Sequence, residues 1–417
     1  MRVELPAWPL QVLALGYPIM WLLGLGFVSV AVIGATAIYV LWRFRATFLP
    51  RNWWLWLIYL VFVLASFIEL DTAGRVVGYV SRLTMVLGAT AIAVYVYSAS
   101  VKSLPTRKVY FYLSFLWFFV IIGGWLGVLF PQTVLTTPVS MILPGFLADN
   151  EFVSTLTQPP FAEIQEPYGA EEPFYRPAAP LPGANGWGAN VVFLAPLMYR
   201  YWTCLRGRSR WFFAIASLSA VVPAAATLNR GLILGLTVAG LYGAYRALLR
   251  GRIGPLLTFL AAAALVFVVA WSSGVLASLA ERLELSGSND TRSGLYEEAF
   301  QRTLESPLLG YGAPRPSYTY DVSVGTQGHL WNVMFSHGFV ALACYLAFFI
   351  TAAWLGRNAP PPADAAHVVV VVGLALVWFY GFDGPQIAVL LIAVALSLRA
   401  VEEQHVAFRS KQPHDTG

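Results

Sequence analysis

Charge is what this chain has least of. Only 11% of its 417 residues are acidic or basic, against roughly a quarter in soluble domains, and that deficit argues against a soluble fold. Cysteine is nearly absent too: Cys204 and Cys344 are the only two, both in or beside apolar segments, so no disulfide framework or Cys-x-x-Cys site is available. Zinc, phosphate-loop, dinucleotide and serine-hydrolase spacings are missing from the polar segments. Isolated arginines, histidines and carboxylates are left to run any chemistry. No internal repeat is visible of the kind that two matched transporter halves would leave.

Apolar sequence is plentiful. Hydrophobic residues make up 58% of the chain, and several uncharged runs reach the ~20 residues an α-helix needs to cross hydrocarbon. Fifteen Trp and twenty Tyr supply the amphipathic rings that settle at headgroup level. The expected fold class is all-α: one integral membrane domain, a polytopic transmembrane bundle of about eleven or twelve helices. Spans are expected near 10–42, 53–69, 76–98, 109–130, 187–203, 211–229, 231–248, 254–274, 330–355, 365–382 and 385–401. The first is too long for one crossing, and Gly16 and Pro18 are expected to split it into a half-helix and a full span. It follows Arg2 and Glu4 without a small-residue cleavage site, so it is expected to be retained.

The net charge of +5 would suggest a nucleic-acid partner in a soluble protein. Here the arginines occupy short loops between apolar runs and orient the chain instead, so no nucleic-acid partner is expected. Four loops contain basic residues and no acid: Arg43, Arg45 and Arg51; Lys102, Arg107 and Lys108; Arg200, Arg206, Arg208 and Arg210; Arg246, Arg250 and Arg252. By the positive-inside rule these face the cytoplasm, and 402–417 becomes a cytoplasmic tail. The carboxylates gather in two long segments, 131–186 and 275–329, which are then the outer loops. Loops of that length are usually functional or disordered. The first is proline-rich and is expected to form an extended cover after a short interfacial helix containing Ile142, Leu143, Phe146 and Leu147. In the second, Asp290 or Thr291 can cap a helix through Tyr296 and Phe300 that ends near Pro307, with Gly310 and Gly312 in a turn.

Few side chains are candidates for chemistry. His329 opens an apolar helix on the outer side, where it either accepts a proton near neutral pH or hydrogen-bonds the loop; His337, two turns on, reads as structural. Arg230 follows Asn229 at an outer boundary and is either a snorkelling anchor or an anion clamp with a planar fork suited to phosphate. Arg292 lies in the first turn of the outer helix, a place mildly unfavourable for a cation, where it either pairs with Glu298 or Asp290 or binds an anion. Arg75 and Arg82 are seven residues apart on one helix face, open to a ligand role or to neutralisation by Glu69 and Asp71. Asp383 reads as a turn former.

In order along the chain these features include Asn229-Arg230-Gly231, Thr291-Arg292-Ser293-Gly294-Leu295, Ser306-Pro307-Leu308-Leu309-Gly310-Tyr311-Gly312, and His329 leading to Ser336-His337-Gly338. The pattern resembles the O-antigen ligase and polymerase superfamily of bacterial membrane glycosyltransferases over roughly 227–355. It departs in having Asn229 where serine is more usual and leucine after His329. The resemblance implies a GT-C-like fold in the bacterial cytoplasmic membrane with its active site on the outer face. It also implies inverting transfer of a saccharide from a polyprenyl-diphosphate-linked donor to a glycan or glycolipid acceptor, with membrane lipids around it and no metal or other cofactor. His329 would then be the general base, and Arg230 and Arg292 would hold the diphosphate. A repeat-unit polymerase of the same superfamily shares every motif. A transporter or flippase of anionic lipid-linked substrates would instead place ionisable groups along the depth of the membrane, and a scaffold would leave these residues replaceable.

The expected orientation is read out by reporter fusions in cells. A periplasm-active phosphatase joined after Gln165 should be active and one joined after Arg206 inactive; the reverse pattern would overturn it.

Overall fold

The computed structural model describes residues 2–148, 151–165, 173–272, 274, 288–382 and 384–409. It is mostly helical, 72% helix and 4% strand. Hydrocarbon offers the backbone no partner, so an apolar run satisfies its N–H and C=O groups internally by coiling. The first helices are α1 (Trp8–Leu23), α2 (Gly26–Phe44), α3 (Trp53–Glu69), α4 (Ala73–Ser98) and α5 (Thr106–Leu129). The first long connection holds short helices α6 (Pro138–Ile142), α7 (Gly145–Ala148) and α8 (Glu151–Thr157), then antiparallel strands β1 (Ala162–Gln165) and β2 (Phe174–Pro177). Next come α9 (Ala184–Thr203), α10 (Gly207–Ala226), α11 (Arg230–Leu248) and α12 (Gly254–Ser272). The second long connection carries α13 (Ser288–Glu305) and the two-residue strands β3 (Arg315–Pro316) and β4 (Ser323–Val324). Helices α14 (His329–Gly356), α15 (Asp364–Leu376) and α16 (Pro385–Arg409) complete the helices among the described residues.

Among the described residues seven helices, α2, α4, α5, α10, α11, α14 and α16, are long and apolar enough to cross a membrane. The chain is therefore a helical membrane protein. The apolar helices α1, α3 and α15 are shorter than a full crossing. The first run breaks at Gly24 (φ 85°), not at Gly16 and Pro18. There a wide π turn, Val12–Gly16, accommodates the amide that Pro18 lacks, and the helix continues. Likewise, α3 tightens into a 3-10 turn at Ser66–Glu69.

Helix α16 lies at the centre, with 89% of its apolar window buried, and packs on α4, α14, α15 and α9. Buried Arg399 fixes its far end by donating to the carbonyls of Val96 (2.9 Å), Ala99 (3.1 Å) and Leu104 (2.9 Å), which closes the C-terminus of α4. Phe48 N–H to Ser98, the Arg2–Glu402 pair and the Arg250–Asp364 pair join neighbouring connections at the same end. We call it the basic end, and the opposite end, bearing both long connections, the loop end. Helix α16 runs on to Arg409, so the first part of the expected tail is helix, and 410–417 lie outside the described residues. Among the described residues the first long connection is short helices and a strand pair rather than an extended cover. Helix α13 begins at Ser288, ahead of the expected caps, and ends before Pro307, while Gly310 (φ 61°) and Gly312 (φ 72°) form the expected turn. Asp383 lies outside the described residues.

One element departs from helical geometry inside the bundle. Helix α14 is broken at Gly338 (φ 82°, ψ 177°), and the loop after α13 fills the break. The carbonyls of Phe335 and Ser336 accept from Tyr311 N–H (2.9 Å) and Gly312 N–H (2.8 Å), while Phe339 N–H donates to Pro307 O (2.8 Å). A Cβ at Gly338 would lie 2.5 Å from Leu308 O. Gly338→Ala is expected to cost at least the ~1–3 kcal/mol of a side chain in that conformation, seen as a lower thermal midpoint in detergent. An unchanged midpoint would show that the break is not held by the loop.

Candidate functional site

The loop end holds a cleft built from three elements. Asn229 caps α11, its Oδ1 accepting from Gly231 N–H (3.1 Å) and Leu232 N–H (3.3 Å). The same oxygen accepts from Tyr380 Oη (2.6 Å), and Nδ2 donates to Ala184 O (3.3 Å) and Asn185 Oδ1 (3.3 Å). A serine hydroxyl could not serve both the cap and two acceptors, which accounts for asparagine here. Arg230 thus starts α11 at the cleft wall. Leu228 just before it has φ 47°, a strained setting for a branched residue.

Strand β2 contributes Arg176. Its pairing with β1 places Arg176 opposite Glu163, and the side chain is only 6% exposed. Nε donates to Thr227 O (2.9 Å), and the two terminal nitrogens reach Glu163 Oε1 (3.3 Å) and Asn185 Oδ1 (3.1 Å). Burial pulls this guanidinium below the usual arginine range; Glu163 opposes that pull, and the nearby positive charges of Arg292 and Arg230 add to it. Arg292, from the first turns of α13, closes the third side. Arg176, Arg230 and Arg292 line a cavity of about 440 Å³. It shares Gln165, Asn185, Arg292 and Phe379 with a second chamber of about 550 Å³ that extends to Thr326 and Gln386.

The sequence reading missed Arg176, although it is the one basic residue in 131–186. A lone cation among six acids was the available signal. Of the two expected partners of Arg292, one is committed elsewhere. Glu298 is engaged with Arg302 (3.0 Å), Ser317 Oγ and Tyr318 N–H (3.0 Å), and Arg302 in turn lies over the Tyr318 ring at 4.4 Å. The side chain of Asp290 lies outside the described residues.

His329 is not brought to the arginines. Its ring is 4% exposed, stacks on Phe382 with centroids 5.0 Å apart, and accepts at Nδ1 from Phe382 N–H (3.2 Å). An imidazole that accepts at Nδ1 carries its proton on Nε2 when neutral, so Nε2 is a donor in this arrangement. His329 lines a small interior pocket, about 20 Å³, with Arg82, Asn332, Ser336 and His337. The connection from α15 to α16 stands between the two sites: Phe379 and Tyr380 line the cleft, and Phe382 lines the pocket. His329 N–H donates to Tyr380 O (2.7 Å) and Leu330 N–H to Val377 O (2.9 Å), which ties that connection to α14. His337 contacts Ser66 Oγ through Nδ1 (2.7 Å), in keeping with a structural role. Arg75 is outside both sites and pairs with Asp71, as the pairing alternative had it; that carboxyl is held below its usual range by the Arg75 hydrogen bond and by Arg315.

No family model matches the chain, and no curated protein matches it either. Among the described residues, no three His, Cys, Asp or Glu side chains gather as metal ligands would.

Burial alone would raise the Glu298 carboxyl, but the hydrogen bonds from Ser317, Tyr318 N–H and Arg302 outweigh it and hold the carboxyl below its ordinary value. Its contribution to the second connection is then present above the unfolded glutamate value of about 4.3 and fades as pH falls through the lower folded value. Wild type should keep 297–320 protease-resistant at neutral pH and lose resistance on acidification. Glu298→Gln should be cut more readily at neutral pH and show a shallower pH dependence; identical profiles would remove Glu298 from this role.

Proposed function

We propose that this protein is a membrane glycosyltransferase of the O-antigen ligase type, moving a saccharide from a polyprenyl-diphosphate donor to an acceptor hydroxyl on the outer face. The observation that carries the reading is the convergence of Arg176, Arg230 and Arg292 on one cleft at the loop end. Three permanently charged planar forks suit the two phosphates of such a donor, and they stabilise the charge that grows on the departing diphosphate. Arg176 is held by a carboxylate, an amide and a backbone carbonyl, so its orientation is set before substrate arrives. The adjoining chamber, about 550 Å³, falls within the ~300–1,000 Å³ of small-molecule sites and gives the sugars room. Direct attack by the acceptor inverts the anomeric carbon. His329, the base by resemblance, stands one connection away with Nδ1 engaged. To accept a proton at Nδ1 it must part from Phe382 N–H. The full count of eleven or twelve crossings and the outward placement of the cleft belong to this proposal.

A second reading, passage of an anionic lipid-linked substrate without chemistry, is favoured by one observation. Arg82, His329 and His337 line one small pocket inside the bundle, and ionisable groups at depth are what a path for an anion would need. Glycan transfer in cells, at matched membrane levels, decides between the two. Arg230→Ala and Arg292→Ala should each lower transfer by about a hundredfold or more, by analogy with loss of one charge-stabilising donor, and Arg176→Lys should fail to substitute for the bidentate fork. His329→Ala should abolish transfer; near-normal transfer would end its assignment as base. Purified protein that releases no polyprenyl diphosphate when given donor and acceptor would leave transport.

A further inference from the structure

At the basic end, far from the arginine cleft, α9, α11, α12 and α15 enclose a groove of about 280 Å³. Its walls are apolar or small: Pro196, Leu236, Ala239, Phe259, Ala262 and Val368. Its mouth is lined by Arg200, Arg246, Arg250 and Arg252 against a single acid, Asp364. The groove exists because α12 packs mainly on α11 and diverges from it. At Gly240 the helices touch so closely that a Cβ would overlap the Phe259 ring, whereas at Gly243, one turn nearer the basic end, a Cβ would meet nothing within 4 Å.

The one acid is already shared. Asp364 Oδ2 pairs with Arg250 NH1 (2.7 Å) and Oδ1 lies 3.5 Å from Arg200 Nε. Arg246 is held by the carbonyls of Arg357 (2.7 Å) and Asp364 (3.3 Å), which orient the guanidinium without neutralising it. Arg252 is exposed at the rim. Four guanidiniums against one carboxylate leave three positive charges in excess, at the end of a groove whose open side is flanked by exposed Leu241, Leu257 and Leu260.

We infer that this groove binds one anionic glycerophospholipid, with an acyl chain between α11 and α12 and the phosphodiester on Arg250 and Arg252. Charge complementarity commits the site to that occupant. A zwitterionic lipid would bring its own cation to an already positive mouth, and a water-soluble anion would leave the apolar walls unfilled. The inference does not rest on the glycosyltransferase reading, because the groove is at the other end of the bundle.

The test is native mass spectrometry of the full chain in detergent, with phosphatidylglycerol, phosphatidylcholine or soluble glycerol 3-phosphate added. Phosphatidylglycerol should be retained about thirtyfold more than phosphatidylcholine, as expected for two surface-exposed cations, and should raise the thermal midpoint. The charge variant Arg250→Gln/Arg252→Gln should lose the preference, and Gly243→Leu, which fills open space, should lose the bound lipid while remaining folded. Equal retention of both lipids, or retention unchanged in Gly243→Leu, would overturn the proposal. Stabilisation by glycerol 3-phosphate equal to that by phosphatidylglycerol would also overturn it, leaving a phosphate site without a lipid.

Discussion

The broken helix α14 is the constraint on which the loop end depends. Hydrocarbon supplies no hydrogen-bond partner, so a helix can be interrupted inside the bundle only if other protein groups take up the freed carbonyls. Here the amides of Tyr311 and Gly312 do so, and Pro307 returns the bond from Phe339. The second long connection is consequently fastened into the bundle at the same point where α14 turns. Helix α13 is carried with it, and Arg292 with α13. On the other side of the same helix, the first residues of α14 tie down the connection from α15 to α16. One broken helix thus positions an arginine of the cleft, the histidine behind it and the wall between them.

Buried arginines do much of the remaining work, each in a different electrostatic setting. Arg399 is enclosed and answered by three carbonyls, which suits a structural cap. Arg302 is answered by Glu298 and aromatic rings, which fixes the second connection. Arg176 has a carboxylate partner but also two arginines across the cleft. Like charges crowded and held in place are the feature on which the proposed anion-binding role rests. The groove at the basic end repeats the logic with a different shape, a positive rim over apolar walls, and so selects an amphipathic anion.

Much of the architecture was legible in the residues. Run length and the shortage of charge called for a helical membrane bundle, and the sorting of arginines and carboxylates between alternate connections corresponds to the two ends seen in the fold. The turn at Gly310 and Gly312 and the pairing of Arg75 with Asp71 were legible as well, since both are local. Less local features were not. The first break came at Gly24 because a π turn absorbs Pro18, a choice made by packing that hydropathy does not encode. Arg176 was hidden because its relevance depends on the pairing of β1 with β2, on Asn185 arriving from α9 and on Thr227 arriving from the turn between α10 and α11.

What the sequence by itself determined is the solvent: apolar runs of membrane length leave the backbone no choice but helix, and basic loops leave those helices a preferred direction. It also singled out Arg230, Arg292 and His329 as chemically unusual. Only the tertiary structure decided which of them meet. Arg230 and Arg292 converge with Arg176 on one cleft, whereas His329 is turned inward against Phe382, with its Nδ1 lone pair taken by a backbone amide. Side-chain direction and hydrogen-bond pairing are set by the packing of elements distant in the chain, and spacing along a sequence carries no record of that.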